Sequence, residues 1–228
     1  MEASEASEIL SWAVQTYGDR FAIATSFQKE SMVVVDLVSR LTPHARVFTL
    51  DTGRLPEETY RMMDTLRERY GIAVEVVFPD REEVERMTFA YGPNLFLDSV
   101  ERRRMCCEIR KVRPLERKLK ELGAWATGLR REQAETRTHI PKVAAVDGRI
   151  KISPLADWTG AQVDEYARAH DVPLHPLYAQ GYASIGCGPC TRPILPGEPQ
   201  RAGRWWWEQD SKKECGIHFA GDGTVRRA

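Results

Sequence analysis

Short apolar runs recur along this chain between longer stretches whose apolar positions repeat every three to four residues, and that alternation predicts strands separated by helices. Residues 4–17 read as a leading amphipathic helix with Ile9, Leu10, Trp12, Ala13 and Val14 on its apolar side, closed by Gly18. A strand at 21–25, a polar turn at 26–31 and a helix at 32–41 follow. The unit repeats as a strand at 46–50, a loop at 51–54 and a helix at 55–70, with Pro56 near its first turn and Gly71 at its end. A third strand at 72–78 stops at Pro79.

From Arg81 the pattern turns helical, breaks at Gly92-Pro93 and runs into a basic segment at 99–113. A helix from Pro114 puts Leu115, Leu119 and Leu122 on one face with Gly123 as its cap, and a fourth strand occupies 124–127. Asp147-Gly148, between apolar runs at 143–146 and 149–152, is a hairpin signal, and a helix at 159–170 ends the regular part. Strands alternating with helices predict an α/β fold, a parallel sheet covered on both faces in three layers. Such sheets bind ligands at the carboxyl ends of their strands, so the loops at 25–31 and 51–54 are the first candidates for a site. Beyond Pro173 periodicity fades, which predicts a C-terminal segment that wraps over the site. We therefore expect a nucleotide-binding α/β domain over 1–172, including Cys106-Cys107, and a C-terminal segment over 173–228.

Composition narrows the function. The chain has 228 residues, 42% hydrophobic and 29% charged, and its 33 basic and 33 acidic residues cancel. No global field recruits nucleic acid or a membrane surface. Locally the balance differs: residues 101–120 hold nine basic and three acidic side chains, and arginines 130, 131, 137, 192, 201 and 204 follow. Solvated helix faces explain single arginines, whereas clustering beside cysteines points to an anionic ligand. The acidic N-terminus lacks the basic start and apolar core of a secretory signal, and no apolar run reaches membrane-spanning length. Five cysteines in such a chain suit a reducing cytoplasm.

Four of those cysteines fall in two pairs, Cys106-Cys107 and Cys187-Gly-Pro-Cys190. Thiolate sulfur favours zinc, copper(I) or iron-sulfur clusters. A thioredoxin-type redox site would open a long helix at the Cys-Gly-Pro-Cys, but Pro193 follows three residues later. Zinc usually takes two spaced knuckles, and adjacent cysteines on a helix diverge by about 100°, which suits a larger cluster better than one small ion. Iron-sulfur leads, and zinc or a redox disulfide stays open. The fifth thiol, Cys215, has Lys212, Lys213 and His218 near it in sequence with Glu214 opposing them, a setting that favours the nucleophilic thiolate over a spare buried thiol. The loop of Ser26, Phe27 and Lys29 could present backbone amides to an anion, or could simply cap a helix with Ser26.

Seven stretches in one order carry a family resemblance: Thr25-Ser-Phe-Gln-Lys-Glu30, Leu50-Asp-Thr-Gly-Arg54, Cys106-Cys107 with Lys111, Thr127-Gly-Leu-Arg-Arg131, Ile152-Ser-Pro-Leu155, Cys187-Gly-Pro-Cys190 and Glu214-Cys-Gly-Ile-His218. Over nearly its whole length the chain resembles the assimilatory adenylyl-sulfate reductases of bacteria, iron-sulfur relatives of the phosphoadenylyl-sulfate reductases. The resemblance implies an adenine nucleotide alpha-hydrolase-like fold, a [4Fe-4S] cluster on Cys106, Cys107, Cys187 and Cys190, and a catalytic Cys215 on a mobile tail, assisted by His218. It further implies adenosine 5'-phosphosulfate as substrate and thioredoxin or a similar dithiol as electron donor. Ser26, Phe27, Lys29, Asp51, Gly53, Lys111, Gly128, Arg130, Arg137, Arg201 and Arg204 are the expected substrate contacts. The 3'-phosphorylated nucleotide is the nearest alternative substrate, an adenylating or thiolating enzyme a weaker one, and a zinc-stabilised binding module the non-catalytic one. The sequence leaves self-assembly into a homo-oligomer open.

Overall fold

The computed structural model describes residues 1–208, so Cys215, His218 and the expected catalytic tail lie outside the described residues. Helix α1 (Ala6–Tyr17) leads into strand β1 (Phe21–Ala24), helix α2 (Lys29–Ser39), strand β2 (Val47–Leu50), helix α3 (Glu57–Tyr70) and strand β3 (Glu75–Val77). Helices α4 (Arg81–Tyr91), α5 (Val100–Cys107) and α6 (Arg113–Leu119) precede strand β4 (Ala124–Ala126). Strands β5 (Val143–Val146) and β6 (Arg149–Ile152) form the expected hairpin, and helix α7 (Gly160–Ala169) follows. Asp147 and Gly148 both take positive φ, 48° and 75°, as the tight hairpin turn requires.

The six strands lie in the order β3-β2-β1-β4-β6-β5. Every pairing is parallel except β5 with β6, so the fold is the expected α/β sheet with one antiparallel edge. Alternation along each strand divides the core. Phe21 and Ile23 of β1 and Ala124 and Ala126 of β4 pack into a cluster with α1, α2, α3 and α7. Ala22 and Trp125, one residue out of phase, face the other way with Phe48 and the Leu115, Leu119 and Leu122 stripe. Helix α6 alone serves this second face from the main helical layers, which leaves room for a ligand beside it.

Two local expectations are corrected. Helix α2 begins at Lys29, three residues earlier than its periodicity suggested, because Gln28 takes extended backbone as its cap and Ser26 lies outside. Gly123 does not cap α6, which ends at Leu119. Its amide donates to the Arg20 carbonyl at 2.9 Å, joining the start of β4 to the segment that enters β1.

Asp36, buried on α2, ties three elements together: its carboxylate accepts from Arg40 Nε at 2.8 Å, Tyr166 Oη at 2.8 Å and Tyr70 Oη at 3.1 Å. Burial pushes its pKa up, but the hydrogen bonds from Arg40, Tyr166 and Tyr70 and the Arg40 charge outweigh that and hold it below the usual carboxylate value. A folded pKa below the unfolded one gives stability that is present above about pH 4 and is lost as the pH falls through the folded value. Asp36→Asn is therefore expected to cost about 2 kcal/mol near neutral pH and to flatten the acid limb of the stability curve, read from urea midpoints across pH.

The sheet order changes direction at β1 and β4, since the chain builds outward through β2 and β3 and then returns to the other side of β1. That reversal parts the loops leaving these two strands and opens a crevice between them. The described part of the C-terminal segment, 173–208, carries turns at Pro176–Gln180 and Gly188–Cys190 and a bridge between Thr191 and Arg204. His175 fastens it to α3: buried Nδ1 accepts from the Leu177 amide, so Nε2 carries the proton and donates to Thr59 Oγ1 at 3.1 Å. No helix among the described residues is long and apolar enough to cross a membrane.

Candidate active site

A cleft opens at that reversal and runs along the α6 face of the sheet, with Phe48, Trp125 and Leu115 as its apolar floor and Ser184 to Gly186 among its outer walls. Among the described residues, Lys111, Arg137, Lys151, Arg201 and Arg204 line it against a single carboxylate, Glu30. Glu30 is already neutralised, because the buried Arg130 guanidinium donates to it from Nε and Nη2 at 3.2 and 3.1 Å. The cleft is thus cationic inside a chain of zero net charge.

The loop after β1 shapes one wall. Phe27 is fully buried with φ of 55°, a left-handed conformation that costs a bulky residue roughly 1–2 kcal/mol. Its amide donates to Thr25 Oγ1 at 3.0 Å, and its ring anchors in the apolar cluster under α2. The anchored turn leaves Ser26 and Gln28 on the cleft, where Gln28 Oε1 accepts from the Ile185 amide at 2.9 Å. Gly128, in the loop after β4, comes so near α2 that a Cβ there would sit 2.5 Å from the Ser31 amide nitrogen, so only glycine fits.

Beside the cleft lies a second cavity, lined by Cys106, Cys107, Cys187 and Cys190 together with Phe96, Pro189 and Trp205. Cys106 and Cys107 end α5, and a π-helical turn, Glu108–Val112, joins α5 to α6. Widened turns of this kind re-aim side chains and are common at functional sites. This one places Lys111 on both cavities. The Cys187 turn is held by the loop after β2: the Gly188 amide donates to the Arg54 carbonyl at 2.8 Å, and Thr52 Oγ1 lies 3.2 Å from Cys187 Sγ.

The four thiols differ. Burial pushes the Cys106 thiol up, against the pull of Arg110. Burial and the neighbouring Cys187 push Cys190 up to about 12. Cys187 is also raised by burial, but Lys111, the Thr52 hydroxyl and Arg204 outweigh that and bring it below the ordinary thiol value. Among the described residues no three His, Cys, Asp or Glu side chains converge on a point that would hold a single metal ion.

Arg204 also belongs to both cavities. Its Nη1 donates to Ser184 Oγ and the Ile185 carbonyl at 3.4 and 3.3 Å, whereas its buried Nε has no hydrogen-bond partner among the described residues. A Cβ on Gly186 would lie 2.3 Å from Arg204 Nη2, so the glycine is what admits the guanidinium.

Of the expected substrate contacts, Ser26, Lys111, Gly128, Arg137, Arg201 and Arg204 line the cleft. The others sit elsewhere. Lys29 pairs with Asp164 and lies over the Tyr178 ring. Asp51 accepts from the Gly53 amide at 2.7 Å and from Tyr60 Oη at 3.1 Å, and Arg130 braces Glu30. The sequence reading missed Gln28, Gln133 and Lys151. Lys151 is 8% exposed on β6, in register with Trp125 of the cleft floor. An inward lysine between two isoleucines was its only sequence signal.

The sheet order and its crevice define an α/β protein of the adenine nucleotide alpha-hydrolase-like fold, and comparison with known proteins narrows the class. Residues 20–193 match the family described as the phosphoadenosine phosphosulfate reductase domain. The adenosine 5'-phosphosulfate reductase of Burkholderia cepacia is 48% identical over 203 residues, 88% of this chain and 81% of that protein. The enzyme of the same name from Allochromatium vinosum is 46% identical over 202 residues, covering 88% and 79%. Among solved structures, the phosphoadenylyl-sulfate reductase from Candida auris, a phosphate complex, superposes with a TM-score of 0.70 at 28% identity, covering 83% of this chain and 91% of that one. This chain belongs to the phosphoadenosine phosphosulfate reductase family, and it is an oxidoreductase of sulfur compounds.

Proposed function

We propose that the protein reduces adenosine 5'-phosphosulfate to sulfite and AMP with electrons from a thioredoxin-type dithiol, in sulfate assimilation in a reducing cytoplasm. The observation that carries this reading is a five-cation nucleotide cleft that shares Lys111 and Arg204 with a four-cysteine cavity. The names of the two bacterial relatives favour the unphosphorylated nucleotide. The adenosine would lie over Phe48, Leu50 and Trp125, and the phosphosulfate toward Lys111, Arg201 and Arg204.

The chemistry needs a nucleophile and a place for negative charge. In the first step the Cys215 thiolate attacks the sulfate sulfur, the S–O bond to phosphate breaks, and AMP leaves with that electron pair, giving an S-sulfocysteine. In the second a donor thiolate attacks Cys215 Sγ, sulfite leaves, and the donor's other thiol resolves the mixed disulfide. Two electrons pass from dithiol to sulfur, and Cys215 is restored. Fixed cations stabilise the charge that develops on the leaving phosphate oxygens; Arg204, whose buried Nε has no hydrogen-bond partner among the described residues, is the first candidate on the cleft, and His218 is proposed as a second.

A [4Fe-4S] cluster fits the residues present. Its donors would be the four thiols, soft ligands that line one cavity together. Arg54, Arg103, Arg110, Lys111 and Arg204 line the same cavity and offset thiolate charge. When bound, the cluster supplies rigid ligation that fixes α5 and the Cys187 turn beside the substrate, with no change of oxidation state required.

Anaerobic incubation with adenosine 5'-phosphosulfate and reduced thioredoxin tests the reading. AMP and sulfite should form in equal amounts, with the 3'-phosphorylated nucleotide at least about tenfold slower, a difference of about 1.4 kcal/mol. Equal or faster use of the latter overturns the substrate assignment, and zinc in place of iron with acid-labile sulfide overturns the cluster.

Lys151 gives this cleft a pH signature. Burial, and then repulsion from Arg137, push its pKa down to about 8. A bound anion favours the charged form, so binding is strongest below that value and weakens as the pH rises through it. Lys151→Met is expected to weaken AMP binding roughly tenfold near pH 7 and to abolish the step near pH 8, measured by calorimetry.

A further inference from the structure

Glu2 lies outside the nucleotide cleft, yet it joins the two ends of a loop that reaches into it. The loop runs from Arg131 to Lys142, between β4 and β5, and carries Gln133 and Arg137, both of which line the cleft. At its first end Arg131 Nη2 donates to Glu2 Oε2 at 2.9 Å, and at its last the Lys142 amide donates to Glu2 Oε1 at 2.7 Å. Burial raises the Glu2 pKa, but the Lys142 amide and Arg131 outweigh that and hold the carboxyl below its ordinary value, so both oxygens accept at neutral pH. Lys142 fastens the same segment a second time, since its buried ammonium donates to the Ser4 carbonyl at 2.9 Å and pairs with Asp157 at 2.7 Å.

A line of contacts runs from Glu2 to the cleft. Arg131 Nε donates to the Ile140 carbonyl at 2.9 Å, and the Ile140 amide donates to the Arg137 carbonyl at 3.0 Å. Arg137 is buried, and its Nη1 donates at 2.7 Å to Gln133 Oε1, which also accepts from the Arg130 amide at 3.1 Å. The guanidinium that Glu2 orients therefore holds the backbone of Arg137, while Gln133 holds its side chain. A loop closed at its ends and filled by its own contacts is a compact unit whose shape depends on that closure. Arg131 and Glu2 are 35% and 56% exposed, and an ion pair so open to water adds little to the stability of the whole fold. Its effect is confined to the loop.

We propose that Glu2 is a positioning residue for nucleotide binding, which closes the 131–142 loop so that Arg137 and Gln133 are preset on the cleft. The inference rests on the nucleotide reading of that cleft. Without the closure the loop visits other shapes, and the apparent affinity falls with the fraction of time spent in the binding one.

Calorimetric titration of the full chain with AMP tests it. Glu2→Ala should weaken AMP binding roughly fivefold, as expected if the binding shape is then held about one fifth of the time. Its thermal midpoint should fall by less than about 2 °C. In an Arg137→Met background the same substitution should change AMP affinity by less than about twofold, because the side chain it positions is gone. Unchanged AMP affinity in Glu2→Ala overturns the positioning role. So does an equal loss in both backgrounds, since that is the signature of a general loosening of the fold. An unaltered chain that does not bind AMP overturns the nucleotide reading itself, and the inference with it.

Discussion

Cys215→Ser is expected to lower AMP and sulfite release at least about 10³-fold while leaving AMP affinity within about twofold, measured by single-turnover assay and calorimetry on the same preparation. The size of the effect follows from the nucleophile. A thiol near its usual pKa is partly ionised at neutral pH and highly nucleophilic, whereas a serine hydroxyl needs a general base to approach the same reactivity. AMP affinity should survive because the described residues that would hold the nucleotide, on β1, β2, β4 and β6 and over 183–205, are all unaltered in the variant. Mass spectrometry separates this from a conformational defect. The unaltered chain incubated with substrate and no thiol donor should gain one sulfonate group at Cys215, and the serine variant should gain none.

The second large effect is expected at the cysteine cavity. Cys187→Ser should remove nearly all bound iron and reduce turnover at least about 100-fold, while the circular dichroism of the sheet stays unchanged. Serine takes away a soft donor, and with it the thiol that Lys111, Thr52 and Arg204 hold below its ordinary pKa. The cations that line the cavity would then face fewer anionic ligands. Folding of the sheet should be spared for a separate reason. Its two apolar clusters lie on either face, and the cysteines pack in a third, with Phe96, Trp205 and Trp207, that shares no buried residue with them. Stripping the metal with a chelator should reproduce the variant. Full turnover in iron-free protein would refute the role assigned to the cluster.

The core was legible because its signals are local. Phe21 to Ala24 and Val47 to Leu50 are short apolar runs, the α6 leucines repeat at helical spacing, and Asp147-Gly148 marks its own turn. The start of α2 was misjudged because Lys29, Glu30 and Ser31 look like a polar loop, and their helical state depends on contacts made far along the chain: Tyr178 Oη accepts from the Lys29 amide at 3.0 Å, and Arg130 neutralises Glu30. Arg130 itself reads in sequence as an anion binder beside Arg131. Its partner, a hundred residues away, makes it a brace.

The sequence by itself determined the alternation of strands and helices, the paired thiols and the local excess of positive charge around them, since each is written in neighbouring residues and in the period of their side chains. Only the tertiary structure decided which cations face the cleft and which are spent on carboxylates, that Lys151 is drawn inward until its pKa falls, and that Glu2 joins Arg131 to Lys142. The physical reason is that burial, desolvation and ion pairing depend on groups distant in sequence, which the order of the strands brings together and local pattern does not encode.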